Sequence, residues 1–193
     1  MIVLVGDAAS GKDTLRAQLI KLGYEPALST TTRLIRPTEQ QDREYHFVSE
    51  EKFHNLIKND ALVQYVTYKN VDEQNNEIIQ YYGMNKDDLG DNKVLILNPE
   101  GVRQFLKKNI PCAVFYIRAS EEVRKKRLQD RGWRKEQIDI RLSQDDEDFE
   151  DIYSLCDYMI LNNGNKTPEQ IAKEISKLYQ ENSASLCAVY PQR

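Results

Sequence analysis

The sequence predicts an α/β fold, a parallel sheet with helices on both faces. Three observations lead there. Short runs at residues 2–5, 94–97, 112–117 and 158–161 are apolar almost throughout, the mark of strands buried on both faces rather than one. Segments of helical period separate them. The chain of 193 residues is 40% apolar and 30% charged, enough for one domain with a substantial core. Neither an internal repeat nor a low-complexity linker interrupts it, so residues 1–193 read as one domain with smaller inserts.

Taken in order, residues 2–5 are the first strand. A glycine-bounded turn and a helix with Leu15, Leu19 and Leu22 follow, ending at Gly23. Residues 45–48 form a strand. Ser49 caps a helix carrying Phe53, Leu56 and Ile57. Residues 62–68 are another strand, and the polar stretch 69–80 is a loop or an extended hairpin. After residues 94–97, Asn98 caps a helix with Pro99 at its first position. Ser120 opens a basic helix that runs to Arg131-Gly132, and a second charged helix spans about 135–151. Thr167-Pro168-Glu169-Gln170 is a capping box for a last helix to Tyr179, with a loose tail from Asn182.

Composition excludes several classes. A net charge of -4 offers no general electrostatic case for nucleic acid or an acidic membrane surface. No apolar run is long enough to span a bilayer. Met1 leads directly into a strand without a charged leader or cleavage site. Three widely spaced cysteines (Cys112, Cys156, Cys187) fit a reducing, cytoplasmic setting rather than a disulfide framework. His46 and His54 have no metal-site spacing with the cysteines.

Gly6-Asp7-Ala8-Ala9-Ser10-Gly11-Lys12-Asp13-Thr14 fits most of G-x-x-x-x-G-K-[ST], with a strand before it and a helix after it. Such a P-loop wraps phosphates with backbone N–H groups at a helix N-terminus, and Lys12 reaches the outer phosphates. Gly6, Ala8, Ala9, Ser10, Gly11, Lys12, Asp13 and Thr14 are therefore expected to bind ATP. Asp13 replaces the usual Mg²⁺-ligating hydroxyl, and Thr14 supplies one a place later. Asp13 and Thr14 are the candidate Mg²⁺ residues. No Walker B Asp ends a later strand: residues 94–97 run into Asn98.

Downstream, Ser29-Thr30-Thr31-Thr32-Arg33-Leu34-Ile35-Arg36-Pro37 sets two arginines three apart beside hydroxyls, followed by Tyr45-His46-Phe47-Val48-Ser49 and Tyr81-Tyr82-Gly83. Arginine forks with a tyrosine hydroxyl suit a dianionic phosphate. With Arg127-Leu128-Gln129-Asp130-Arg131-Gly132, these motifs resemble the guanylate kinase family of nucleoside-monophosphate kinases from Met1 to about Tyr179. The resemblance implies a P-loop NTPase fold with a core at about 1–32 and 90–181, an NMP-binding insert at 33–89 and a lid at 127–148. It implies ATP-dependent phosphorylation of GMP or dGMP, giving GDP and ADP from GMP. Ser29, Arg33, Arg36, Tyr45 and Tyr82 should hold the acceptor. Arg127, Arg131 and Arg141 should close over the ATP phosphates as catalytic partners of Lys12, and Asn162 should meet adenine. Arg124, Lys125 and Lys126 read as a solvated helix face, as does the acidic run Asp145-Asp146-Glu147-Asp148.

Three positions depart from the family where it reads guanine. Gln64 stands for Glu, Met84 for Ser or Thr, and Asn98 for Asp. A carboxylate accepts from both guanine donors, whereas an amide offers one acceptor and one donor. Either guanine selectivity is weakened or replaced, or the long stretch before Tyr81 shifts the register. Two other functions compete with an NMP kinase: a silent phosphopeptide-binding module, and a kinase for another phosphorylated metabolite.

Overall fold

The computed structural model describes residues 1–36, 39–71 and 77–189, and the side chains of all of these except 70, 71 and 182–189. Pro37 of the acceptor motif, residues 72–76 of the polar stretch and the last residues of the tail lie outside the described residues. In chain order the elements are strand β1 (Ile2–Val5), helix α1 (Lys12–Lys21), β2 (Glu25–Pro26), β3 (Ser29–Thr31), β4 (His46–Phe47), α2 (Glu50–Lys58), β5 (Leu62–Val71), β6 (Glu77–Asn85), β7 (Lys93–Ile96), α3 (Pro99–Lys107), β8 (Ala113–Arg118), α4 (Glu121–Asp130), α5 (Lys135–Asp148), α6 (Ile152–Leu155), β9 (Tyr158–Leu161) and α7 (Pro168–Val189). They fall into two compact units, one of Met1–Pro26, Asp91–Val102 and Pro111–Arg193, the other of Ala27–Gly90 and Arg103–Ile110.

The first unit is built on a five-stranded parallel sheet of order β2-β7-β1-β8-β9. All four residues of β1 are fully buried, as an unbroken apolar run on a central strand requires. Ile2 and Leu4 pack with Leu15 and Leu19 of α1, with Val94, Phe115 and Ile117 of the sheet, and with Ile171 and Ile175 of α7. Truncating a residue as enclosed as Phe115 to Ala would cost about 3–5 kcal/mol. The capping signals work as read. Ser120 accepts from the Val123 N–H, Asn98 from the Gly101 N–H at 2.8 Å, and the Thr167 and Gln170 side chains each bond the other's backbone N–H.

The second unit carries a four-stranded sheet of order β4-β3-β6-β5, in which β3 pairs parallel with β4 and antiparallel with β6. Residues 69–80 are an extended hairpin where described, because β5 and β6 continue into it. Ser49 caps α2 as expected, and Phe53 from that helix is fully buried.

The structure corrects four expectations. Helix α7 runs on to Val189 instead of ending at Tyr179. The charged helix from Lys135 stops at Asp148, and a separate single turn, α6, follows. Arg124 is not on a solvated face: it is 6% exposed. Asp145 is 1% exposed, while Asp146, Glu147 and Asp148 are in solvent as read. The acidic run wraps around its helix, so one of its members faces the protein.

Candidate active site

The P-loop leaves β1 at Gly6, where a Cβ would stand 2.2 Å from the Ile117 carbonyl oxygen. No other residue fits there without moving β8. Gly11, the N-cap of α1, has φ of 101°, and a Cβ would lie 2.4 Å from the Asn162 amide nitrogen. Ala9 also adopts a left-handed conformation, with φ of 59°. Left-handed residues inside such a loop turn successive N–H groups toward one side, forming an anion-binding nest.

The loop is fastened carbonyl by carbonyl. Lys12 Nζ donates to the Gly6 and Asp7 oxygens at 2.6 and 2.9 Å. Arg124 Nε donates to the Ala8 oxygen at 3.1 Å. Arg127 Nη1 donates to the oxygens of Ala9 and Ser10 at 3.0 and 3.3 Å, and its Nη2 to the Asn162 oxygen at 2.9 Å. The Asn162 amide donates to the Ser10 oxygen at 2.8 Å. Three cations and one amide thus engage five consecutive carbonyls of the loop. Burial lowers the Lys12 pKa to about 8, against the pull of Asp13, Asp7 and Asp145. Burial also pushes the Asp7 carboxyl above its ordinary range, although Arg124 draws it down.

The P-loop residues named from the sequence come together as expected, and Arg131 and Arg141 reach the same unit. A cleft of about 610 Å³ beside the loop is lined by Gly11, Thr14, Arg127, Arg131, Asn162 and Pro168, among others. Asp13 and Thr14 are exposed in the first turn of α1. They present hard oxygen donors of the kind Mg²⁺ takes. Among the described residues no group of three or more acidic, His or Cys side chains could hold a metal. Arg141 Nη2 lies 2.8 Å from Asp145 Oδ1, one helical turn away.

In the second unit, Arg33 Nη2 pairs with Glu39 Oε1 at 2.8 Å. The guanidinium stands 5.5 Å from the Tyr45 ring centre and 5.4 Å from that of Phe47, and Tyr45 meets Tyr82 edge to face at 5.9 Å. The structure therefore gathers Arg33, Tyr45 and Tyr82. Arg36 is exposed, and its backbone N–H donates to the other Glu39 oxygen at 2.9 Å. Ser29, Met84 and Gln64 form one rung across β3, β6 and β5. Directly opposed residues share a face, and Tyr82, two residues before Met84, joins them on it. Met84 is fully buried and Gln64 is 4% exposed. The Gln64 Oε1 is buried without a hydrogen-bond partner among the described residues. The hydroxyls of the threonine run are spent on the sheet: Thr30 accepts from Asn85, Thr31 donates to the Tyr81 oxygen, and Thr32 accepts from the Tyr81 N–H. In the first unit, Asn98 serves as the cap of α3.

Sequence reasoning missed Glu39, Arg124 and Asp145. The Arg141–Asp145 spacing of four was a usable signal for the last. Glu39 and Arg124 carried none, because their partners are distant or irregularly spaced.

Comparison with known proteins gives the family. The guanylate kinase family profile matches residues 1–182. The guanylate kinase of Onion yellows phytoplasma (strain OY-M) is 29% identical over 174 residues, covering 84% of this chain and 77% of that protein. The guanylate kinase of Mycoplasmoides gallisepticum is 31% identical over 192 residues, covering 93% of each. The crystal structure of guanylate kinase from Anaplasma phagocytophilum aligns with a TM-score of 0.67 at 22% identity, covering 94% of this chain and 85% of that one, a likeness of fold. The chain belongs to the guanylate kinase family.

Proposed function

We propose that this chain transfers the γ-phosphoryl group of ATP to GMP, giving ADP and GDP. The observation that carries the reading is the P-loop, whose carbonyls from Gly6 to Ser10 all have donors, with the Lys12 ammonium among them and left-handed residues at Ala9 and Gly11. Phosphoryl transfer needs positioning and charge neutralisation more than covalent help from the protein. Lys12 supplies a half-buried cation at the loop. Arg131 and Arg141 supply further cations on the segment 127–148, which acts as a lid that excludes water from the reaction. Arg127 contributes by bracing the loop, and Asn162, which lines the cleft beside the loop, contacts adenine in this reading.

The segment 33–89 is the acceptor-binding insert in this reading. Arg33, Tyr45, Tyr82, Arg36 and Ser29 take the acceptor phosphate, which displaces Glu39 from Arg33. Gln64 reads the base, since a buried carbonyl oxygen without a donor matches the N–H edge of guanine. Met84 packs against the base, and Asn98 acts by fixing the start of α3. Asp13 and Thr14 would hold Mg²⁺ on the outer phosphates, where the ion neutralises charge on the transferred group. We place the activity in the cytoplasm, in keeping with the free thiols of Cys112 and Cys156.

A coupled assay of ADP formation across the common NMPs and dNMPs tests this reading. GMP or dGMP should be the best acceptor by kcat/KM. Turnover with another base at higher efficiency, or with none, would refute it.

A further inference from the structure

Asp145 and Arg124 were expected in solvent, yet the structure buries both against the P-loop. The Arg124 guanidinium contacts the Asp145 carboxylate directly, and each partner also binds the peptide groups of Ala8. The Ala8 N–H donates to Asp145 Oδ2 at 2.9 Å, and the Ala8 oxygen accepts from Arg124 Nε at 3.1 Å. One buried ion pair thereby holds both backbone groups of a single loop residue. The next residue, Ala9, is the one forced to φ of 59°.

The pair has two further connections. Arg124 Nη1 lies 3.6 Å from Asp7 Oδ2, and the Tyr116 hydroxyl donates to Asp7 at 3.2 Å. Asp145 Oδ1 lies 2.8 Å from Arg141, whose side chain keeps 37% of its surface in solvent. Two carboxylates and two guanidiniums make a balanced quartet with Arg141 as its only partly solvated member. The contact is an ion pair without hydrogen-bond geometry, so the Arg141 N–H groups are open to an anion near the loop.

We propose that Asp145 is a positioning residue for the donor nucleotide: through its pair with Arg124 it sets the shape of the P-loop at Ala8, and through Arg141 it aims a cation at the phosphates. Seating of α5 and formation of the phosphate nest are then one event. This rests on the ATP-using reading but not on the identity of the acceptor. A merely structural ion pair would behave differently. Replacing a buried pair by apolar residues of similar volume is often neutral for stability, so a structural pair could be exchanged with no kinetic consequence.

The test uses the full chain and the double variant Arg124→Leu/Asp145→Leu. Asp7 keeps its Tyr116 partner in this variant, and Arg141 keeps solvent. ADP and ATP binding are measured by calorimetry without any acceptor, alongside steady-state kinetics. We expect the nucleotide dissociation constant to rise roughly tenfold and kcat to fall by a similar factor, with KM for GMP within about twofold of the parent. A folded double variant with parental ATP affinity and kcat would overturn the proposal. Should the double variant fail to fold, Asp145→Asn decides. It keeps an acceptor for the Ala8 N–H but no charge for the two arginines, and ATP affinity should weaken about fivefold. Unchanged affinity and unchanged kcat in Asp145→Asn would overturn the proposal equally. Because binding is read without an acceptor, failure of the parent chain to phosphorylate GMP would sink the acceptor assignment and leave this measurement intact.

Discussion

The P-loop is a main-chain element, held in place by carbonyls that accept from Lys12, Arg124, Arg127 and Asn162. The Arg33 region presents side chains, and its guanidinium is engaged by Glu39. Backbone donors cannot be exchanged by single substitutions, and their geometry is set before the ligand binds. Side-chain donors can be removed one at a time, and their geometry is completed by the ligand. The contrast teaches where each site should be sensitive: the first to whatever shapes the loop, the second to its individual contacts.

The largest expected effect comes from the one side chain that the backbone nest cannot replace. Lys12→Ala should lower kcat by about a thousandfold or more, read as ADP formation, while the melting temperature stays near that of the parent. A fall of less than tenfold would mean that the backbone alone carries donor binding. The same ammonium gives the nest a pH limit. Lys12 is cationic below its pKa of about 8 and neutral above it, so ATP affinity should hold from pH 6 to pH 7.5 and decline as pH rises through 8. Affinity that is flat to pH 9.5 would contradict that sign.

The acceptor side should fail contact by contact. Arg33→Met should raise KM for GMP by about a hundredfold and leave ATP binding unchanged, since a charge-assisted phosphate contact is lost. If ATP affinity fell equally, the two regions would not be separable in this way. Gln64→Leu offers a finer separation. It removes a buried acceptor that has no partner among the described residues, so thermal stability should hold or rise slightly, while KM for GMP rises roughly tenfold. The smallest effect belongs to the helix cap at the rim of the P-loop cleft, which Thr167 lines. Thr167→Ala deletes half of the capping box of α7 and should cost about 1 kcal/mol, with KM for GMP unchanged.

Much of the first unit was legible because its evidence is local. An unbroken Ile-Val-Leu-Val run fixes a central strand without knowledge of its neighbours, and Ser120, Asn98 and Thr167 declare helix starts within three residues. Strands β2 and β3 escaped because Glu25-Pro26 and Ser29-Thr30-Thr31 have neither an apolar run nor alternation; β2 exists only because β7 lies beside it. The P-loop was legible as a motif, but its bracing was not. The Asp145 bond to Ala8 spans 137 positions, and that of Arg124 spans 116. Composition places such residues on the surface, and only the packing of α4 and α5 reverses that.

The edges of the parallel sheet carry a consequence for self-association. At one edge, β2 is two residues long, contains a proline that cannot donate to a ladder, and sets Glu25 against Lys93. Such a strand refuses an added partner. At the other edge, β9 is free of proline and charge and leaves Met159 47% and Leu161 57% exposed. A chain caught part-folded, with its sheet formed but its edges uncovered, would therefore recruit a foreign strand beside β9 and not beside β2. A lysine at Leu161 is the economical guard against aggregation during refolding.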